Sequence, residues 1–90
     1  MIPFSFRDLE YIVAVADVRH FSHAAERCHV SQPALSAQIK KVEDSLGMVI
    51  FERNNRSVRV AENMLGFIET AREVLSLSER LVEEAKKPNE

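Results

Sequence analysis

Between Phe21 and Lys41 the chain reads FSHAAERCHVSQPALSAQIKK, and this stretch dictates most of what it can become. Ala24, Ala25 and Cys28 fall on one face of a first short helix, small enough to let another helix approach closely, with Ser22 before them as a candidate N-cap. Only His29 and Val30 then separate that helix from Ser31, a favoured N-cap residue. Pro33 follows in the first turn, where a missing N–H costs nothing. A second helix therefore starts at about Gln32. Leu35, Ile39, Val42 and Leu46 form its apolar stripe, and Gly47 ends it. Two helices joined across so short a break make a helix-turn-helix.

The outer face of the second helix carries Gln32, Ala34, Ser36, Ala37, Gln38, Lys40 and Lys41, and acidic residues enter only with Glu43 and Asp44. These are the residue types a recognition helix places in a DNA major groove. Amides pair with base edges, short apolar groups meet thymine methyls, and lysines take phosphates. The same pattern also suits a plain two-helix corner with a solvated outer face.

Ninety residues suffice for one small core with little stability margin. With 46% apolar and 29% charged residues and few Gly and Pro, disordered, collagen-like and disulfide-rich classes are excluded, and helix should dominate. The formal charge of −2 argues against a global attraction to nucleic acid, but its distribution is uneven. Residues 27–61 are net positive by three, whereas the tail from Glu62 onward is net negative by three. A basic middle beside an acidic helix fits local contact with phosphate.

The lone Cys28 cannot close an internal disulfide and reads as a small core residue. His20, His23 and His29 lack the spacing and carboxylate support of metal ligands or general bases. No Gly-rich phosphate loop and no converging nucleophile and base are visible, so no enzyme, cofactor or metal site is expected. Neither a signal peptide nor an apolar run of membrane-spanning length is present, which implies a cytoplasmic location.

Ahead of the helix-turn-helix, Ser5 and Asp8 form a capping pair for a helix ending near Val18. Leu9, Ile12, Val13 and Ala16 make its stripe, with Tyr11 and Val15 off its centre and Phe21 folding back as a plug between the first and second helices. After Gly47, the run from Met48 to Phe51 suits packing and a strand. A polar, flexible tip follows at residues 53–57, and Ser57 to Val60 alternates as a half-buried strand does. This is a hairpin wing, whose Arg53, Arg56 and Arg59 suit phosphates or an A·T-rich minor groove. The alternative is a solvated hairpin whose arginines protect its edge.

From Glu62 a long helix runs to about Lys86 and stops before Pro88. Met64, Phe67, Ala71, Val74, Ser78, Leu81 and Ala85 follow a heptad-like order, widened by Ile68, Leu75 and Val82. So broad a face exceeds what a three-helix core covers. Either the helix folds back on its own domain or, as a two-fold DNA reader requires, a second copy covers it. The residues expected at that dimer contact are Met64, Phe67, Ile68, Ala71, Val74, Leu75, Leu81 and Val82.

Taken together, residues 6–86 resemble the N-terminal region of LysR-type transcriptional regulators. The resemblance is carried by Leu9…Tyr11…Val13-Ala14-Val15-Ala16, Phe21-Ser22…Ala24-Ala25, Ser31-Gln32-Pro33-Ala34-Leu35-Ser36…Gln38-Ile39-Lys40, Glu43…Leu46-Gly47 and Phe51-Glu52-Arg53. It implies a mainly α fold: a winged helix-turn-helix over residues 5–61, with a three-helix core and a short β-hairpin wing, then a linker and dimerisation helix over 62–87. It further implies that Ser31, Gln32, Pro33, Ala34, Ser36 and Gln38 face the major groove, Lys40 or Lys41 the backbone, and Arg53 and Arg56 the wing side. Ser22 would touch phosphate. The expected partners are double-stranded DNA, as an inverted repeat, and a second copy of the chain.

Three features depart from the family pattern. Ala37 stands where Arg is common, and Val60-Ala61-Glu62-Asn63-Met64 replaces the usual Leu-Thr-x-x-Gly. The effector-binding domain of full-length members is absent, so residues 88–90 read as the start of a hinge and higher oligomers are expected only with that domain. A different class of function, a protein-interaction module assembled through the long helix, shares every feature except the basic cluster of Lys40, Lys41, Arg53 and Arg56.

Overall fold

The computed structural model describes residues 1–88. The first helix, α1 (Phe6–Val18), starts on a reciprocal capping box. The Asp8 N–H donates to Ser5 Oγ at 3.1 Å and the Ser5 N–H to Asp8 Oδ2 at 2.8 Å. Phe4, just before the cap, packs in the same cluster as Leu9 and meets Phe67 edge-on with ring centroids 6.1 Å apart. Arg19 closes the helix in the left-handed region at φ 54°.

The capping pair and the helix end match the sequence reading, but the stripe does not. Leu9 and every residue from Tyr11 to Val15 are buried, while Ala16 is only half-buried. A single stripe serves a helix at the edge of a core. Here α2 (Phe21–Arg27), α3 (Gln32–Leu46) and α4 (Leu65–Lys86) all pack on α1, so its apolar surface is needed nearly all round.

The start of α2 also differs from expectation. Its N-cap is His20, whose Nδ1 accepts the His23 N–H at 3.2 Å, and Ser22 lies inside the first turn. The helix begins one residue before Ser22, so the ring two positions ahead of it holds the capping geometry. Ala24 and Ala25 are buried, as is Cys28 at its C-cap. Arg7 donates from Nη2 to the Cys28 carbonyl at 2.8 Å, satisfying one of the orphan acceptors at that helix end.

Both ends of α3 are where the sequence puts them. The Ala34 N–H donates to Ser31 Oγ at 3.2 Å, and Gly47 adopts φ 66°. Leu35, Ile39 and Val42 face the core and Leu46 lies half-buried beside them. The left-handed turn at Gly47 leaves Met48 and Val49 exposed, so only Ile50 and Phe51 of the expected apolar run are buried. The strands β1 (Phe51–Arg53) and β2 (Val58–Val60) pair antiparallel, Phe51 opposite Val60 and Arg53 opposite Val58.

A single 3₁₀ turn, Glu62–Met64, leads into α4 without a side-chain cap. The first half of α4 lies on α1. Ile68 and Ala71 are buried, Phe67 and Leu75 pack beside Leu9 and Val13, and Arg72 reaches Asp17 at 2.6 Å. The second half projects beyond the domain. The Cα radius of gyration is 14.6 Å, against about 12 Å for a compact chain of this length. Of the expected hinge, residues 88–90, only Pro88 lies within the described residues.

Candidate nucleic-acid interface

Because Ser31 caps α3 and Leu35, Ile39 and Val42 hold it to the core, its N-terminal half is fixed with one side outward. Ser31, Gln32, Pro33 and Ala34 are exposed there, followed by Ala37, Lys40 and Lys41, with Ser36 half-buried. Gln32 Nε2 donates to Ser36 Oγ at 2.9 Å, one turn along, which pre-orients the amide on the helix surface. Lys40 pairs with Asp44 at 3.1 Å, but both side chains are well exposed, and such a surface pair yields readily to a stronger anion. Among the described residues Lys41 forms no ion pair.

Gln38 does not join this face. It is half-buried, and its Nε2 donates to Asp8 Oδ1 at 3.0 Å. Asp8 is the buried acidic residue of the core, its other oxygen occupied by the Ser5 N–H, so Gln38 ties α3 to the start of α1. Its amide is thus turned toward a carboxylate thirty residues away, unlike the outward Gln32, which contrasts with the base-reading role expected of it. Ser22 is exposed near the start of α2, on the surface but not as the cap.

The wing stands beside α3. Its tip is not loose, since Asn54 Oδ1 accepts the N–H groups of Arg56 and Ser57 at 2.8 and 2.9 Å and the Asn54 N–H returns to the Ser57 carbonyl. Arg59 pairs across the strands with Glu52 at 3.3 Å, leaving Arg53 and Arg56 as the cations the wing presents. The Arg53 guanidinium lies 4.4 Å from the centroid of the Phe21 ring. Phe21, half-buried against the main core cluster, therefore also supports the wing. A cleft of about 290 Å³ separates the wing from α3, lined among others by Ser36, Ala37, Lys40, Glu43 and Arg53.

Sequence reasoning missed Glu43, whose carboxylate accepts two backbone N–H groups at the base of the wing. It also misassigned part of the long helix. Met64, Ile68 and Ala71, expected to meet a second copy, are buried in this chain's own core, and Phe67 and Leu75 are half-buried against it. Packing on α1 uses those positions first. Apart from Leu65 at its start, the large apolar side chains that α4 leaves outward are Val74, Leu77, Leu81 and Val82, of which the sequence reading does not include Leu77. No group of His, Cys, Asp and Glu suited to a metal ion occurs among the described residues. Burial pushes the Cys28 thiol up from its ordinary range. No helix among the described residues is long and apolar enough to cross a membrane.

Comparison with known proteins follows the same lines. A hydrogen peroxide-inducible genes activator from Pectobacterium carotovorum subsp. carotovorum is 54% identical over 71 residues, 79% of this chain but 24% of the relative. The chain thus spans about a quarter of the length of the curated relatives it matches. Full-length OxyR from Pseudomonas aeruginosa superposes with a TM-score of 0.88 at 42% identity, covering 97% of this chain and 29% of that one. The CbnR DBD in a CbnR DBD–DNA complex superposes with a TM-score of 0.84 at 36% identity, covering 92% of this chain and 95% of that one. With residues 6–63 matching the family model, the chain belongs to the bacterial regulatory helix-turn-helix proteins of the lysR family.

Proposed function

We propose that this chain is the DNA-binding part of a bacterial transcription regulator, and that it reads an inverted repeat in double-stranded DNA as a homodimer. Residues 5–61 do the reading and 62–87 pair the two copies. α3 enters the major groove with Ser31, Gln32, Pro33, Ala34 and Ser36 toward base edges, while Lys40 and Lys41 take flanking phosphates. Ser22 meets phosphate beside the start of α2. Arg53 and Arg56 take the backbone or the adjacent minor groove. The protein works in the cytoplasm, where a bacterial chromosome lies.

One observation carries this reading: from Gln32 to Lys41 the exposed side of α3 bears small, amide and basic side chains only, and the wing brings Arg53 and Arg56. Its likeness over nearly its whole length to a domain solved on DNA supports the same assignment. The exposed Val74, Leu77, Leu81 and Val82 support pairing through the outer part of α4, since a contiguous apolar face of this kind marks an interaction surface.

The test is selection from a random duplex library at two salt concentrations, with the bound fraction sequenced. The expected result is an enriched inverted repeat. If Lys40, Lys41, Arg53 and Arg56 all meet phosphate in both copies, log affinity falls against log salt with a slope of roughly −7, at about 0.9 per contact. Uniformly weak binding to all duplexes would favour the protein-interaction module instead. A Lys41→Glu, Arg56→Glu variant that assembles and binds DNA as the parent does would refute the assignment of these cations to phosphate.

A further inference from the structure

Strands of three residues each make a hairpin that is marginal by itself, so the wing's orientation depends on what holds its base. That anchor is a side chain of α3. The Ile50 N–H donates to Glu43 Oε2 at 2.7 Å and the Phe51 N–H donates to the same oxygen at 3.3 Å. Ile50 is fully buried and Phe51 nearly so, so these two donors have little access to water.

Two residues beyond Phe51 on the same face of β1 is Arg53. Both converge on Phe21: the Phe51 ring meets it edge-on at 6.1 Å, and the Arg53 guanidinium lies over its face at 4.4 Å. Moving the backbone at Phe51 therefore moves Arg53. On α3, Ser36, Lys40 and Glu43 follow one another along a single face, at spacings of four and three, and line the cleft that Arg53 closes from the wing side.

We propose that Glu43 is a positioning residue for DNA binding: by clamping the base of the wing to α3, its carboxylate sets where Arg53 stands relative to the recognition face. The proposal rests on the DNA-binding reading above. It makes an acidic side chain, placed beside a cleft suited to phosphate, a requirement for binding an anionic duplex.

Charge alone and clamping give opposite expectations, which makes the test sharp. Glu43→Ala removes a negative charge and the acceptor together, whereas Glu43→Gln removes the charge but keeps a carbonyl oxygen to accept the N–H groups. If Glu43 clamps the wing, Glu43→Ala weakens binding to a labelled mixed-sequence duplex and lowers the salt slope by about 1.8, the share of one phosphate contact in each of the two copies. Arg53→Ala does the same, and the double variant binds no worse than Arg53→Ala alone. Glu43→Gln binds at least as well as the parent. Without DNA, amide hydrogen exchange at Ile50 and Phe51 rises in Glu43→Ala while that of α1 is unchanged.

Tighter binding by Glu43→Ala, an unchanged slope, or losses that add with Arg53→Ala would overturn the proposal. A parent chain that binds no duplex would overturn the DNA-binding reading itself, whereas a parent that binds beside an indifferent Glu43→Ala refutes the clamp alone.

Discussion

The outer half of α4 gives the strongest quantitative expectation, because the structure states how much apolar surface remains for a second copy. Val74 is 38% exposed, Leu77 58%, Leu81 70% and Val82 53%. Together these leave uncovered the equivalent of about two complete aliphatic side chains per copy, worth roughly 3–6 kcal/mol when buried and twice that for a symmetric pair. Association itself costs about 4–15 kcal/mol. The balance is narrow, so α4 alone should give a weak dimer, in the micromolar range or above. Leu81→Glu removes the most exposed member from both copies. The loss is roughly 2–4 kcal/mol, a thirtyfold or greater rise in Kd before the charge is counted. Sedimentation equilibrium measures it directly, and Tm should hold because Leu81 belongs to neither cluster of the domain's core. Ile68→Ala is the contrast: 4% exposed, it should cost about 2–5 kcal/mol of folding stability through lost packing. A Leu81→Glu chain that associates as the parent does would refute the assignment of this face.

Three other expectations concern folding and not the interface. Gln38→Ala leaves Asp8 Oδ1 without its donor in the core, and thermal unfolding should register a loss of about 1–3 kcal/mol; unchanged stability with altered base preference would return Gln38 to the groove. Gly66 lies in the first turn of α4 with nothing within 4 Å of where a Cβ would stand, so Gly66→Ala should stabilise the chain by about 0.5 kcal/mol in denaturant unfolding. Cys28 is buried with its thiol pushed up by that burial, so it should react with an aromatic disulfide reagent at neutral pH only as fast as the domain opens, and rapidly in denaturant.

What the sequence disclosed, and what it withheld, divides by the range of the interaction. The Ser5–Asp8 box, the Ser31 cap with Pro33, and the Gly47 stop each depend on residues within one turn, and each stands where it was read. His20, not considered in the sequence reading, caps α2 because the helix starts at Phe21, which leaves Ser22 inside the first turn despite its better intrinsic preference. The sequence puts Gln38 on the groove face and gives Glu43 no role, because their partners are brought to them only by the fold: Asp8 by α1, the Ile50 N–H by the turn at Gly47. The long helix shows the same limit most plainly. Its apolar stripe runs without interruption from Met64 to Val82, and nothing in the stripe marks where one use ends and another begins. Length decides it. α1 has 13 residues and α4 has 22, so at 1.5 Å per residue roughly 20 Å of support meets roughly 33 Å of helix. Ile68, Ala71, Phe67 and Leu75 are covered by the chain's own domain, and the outward side chains from Val74 onward form the face proposed for a second copy.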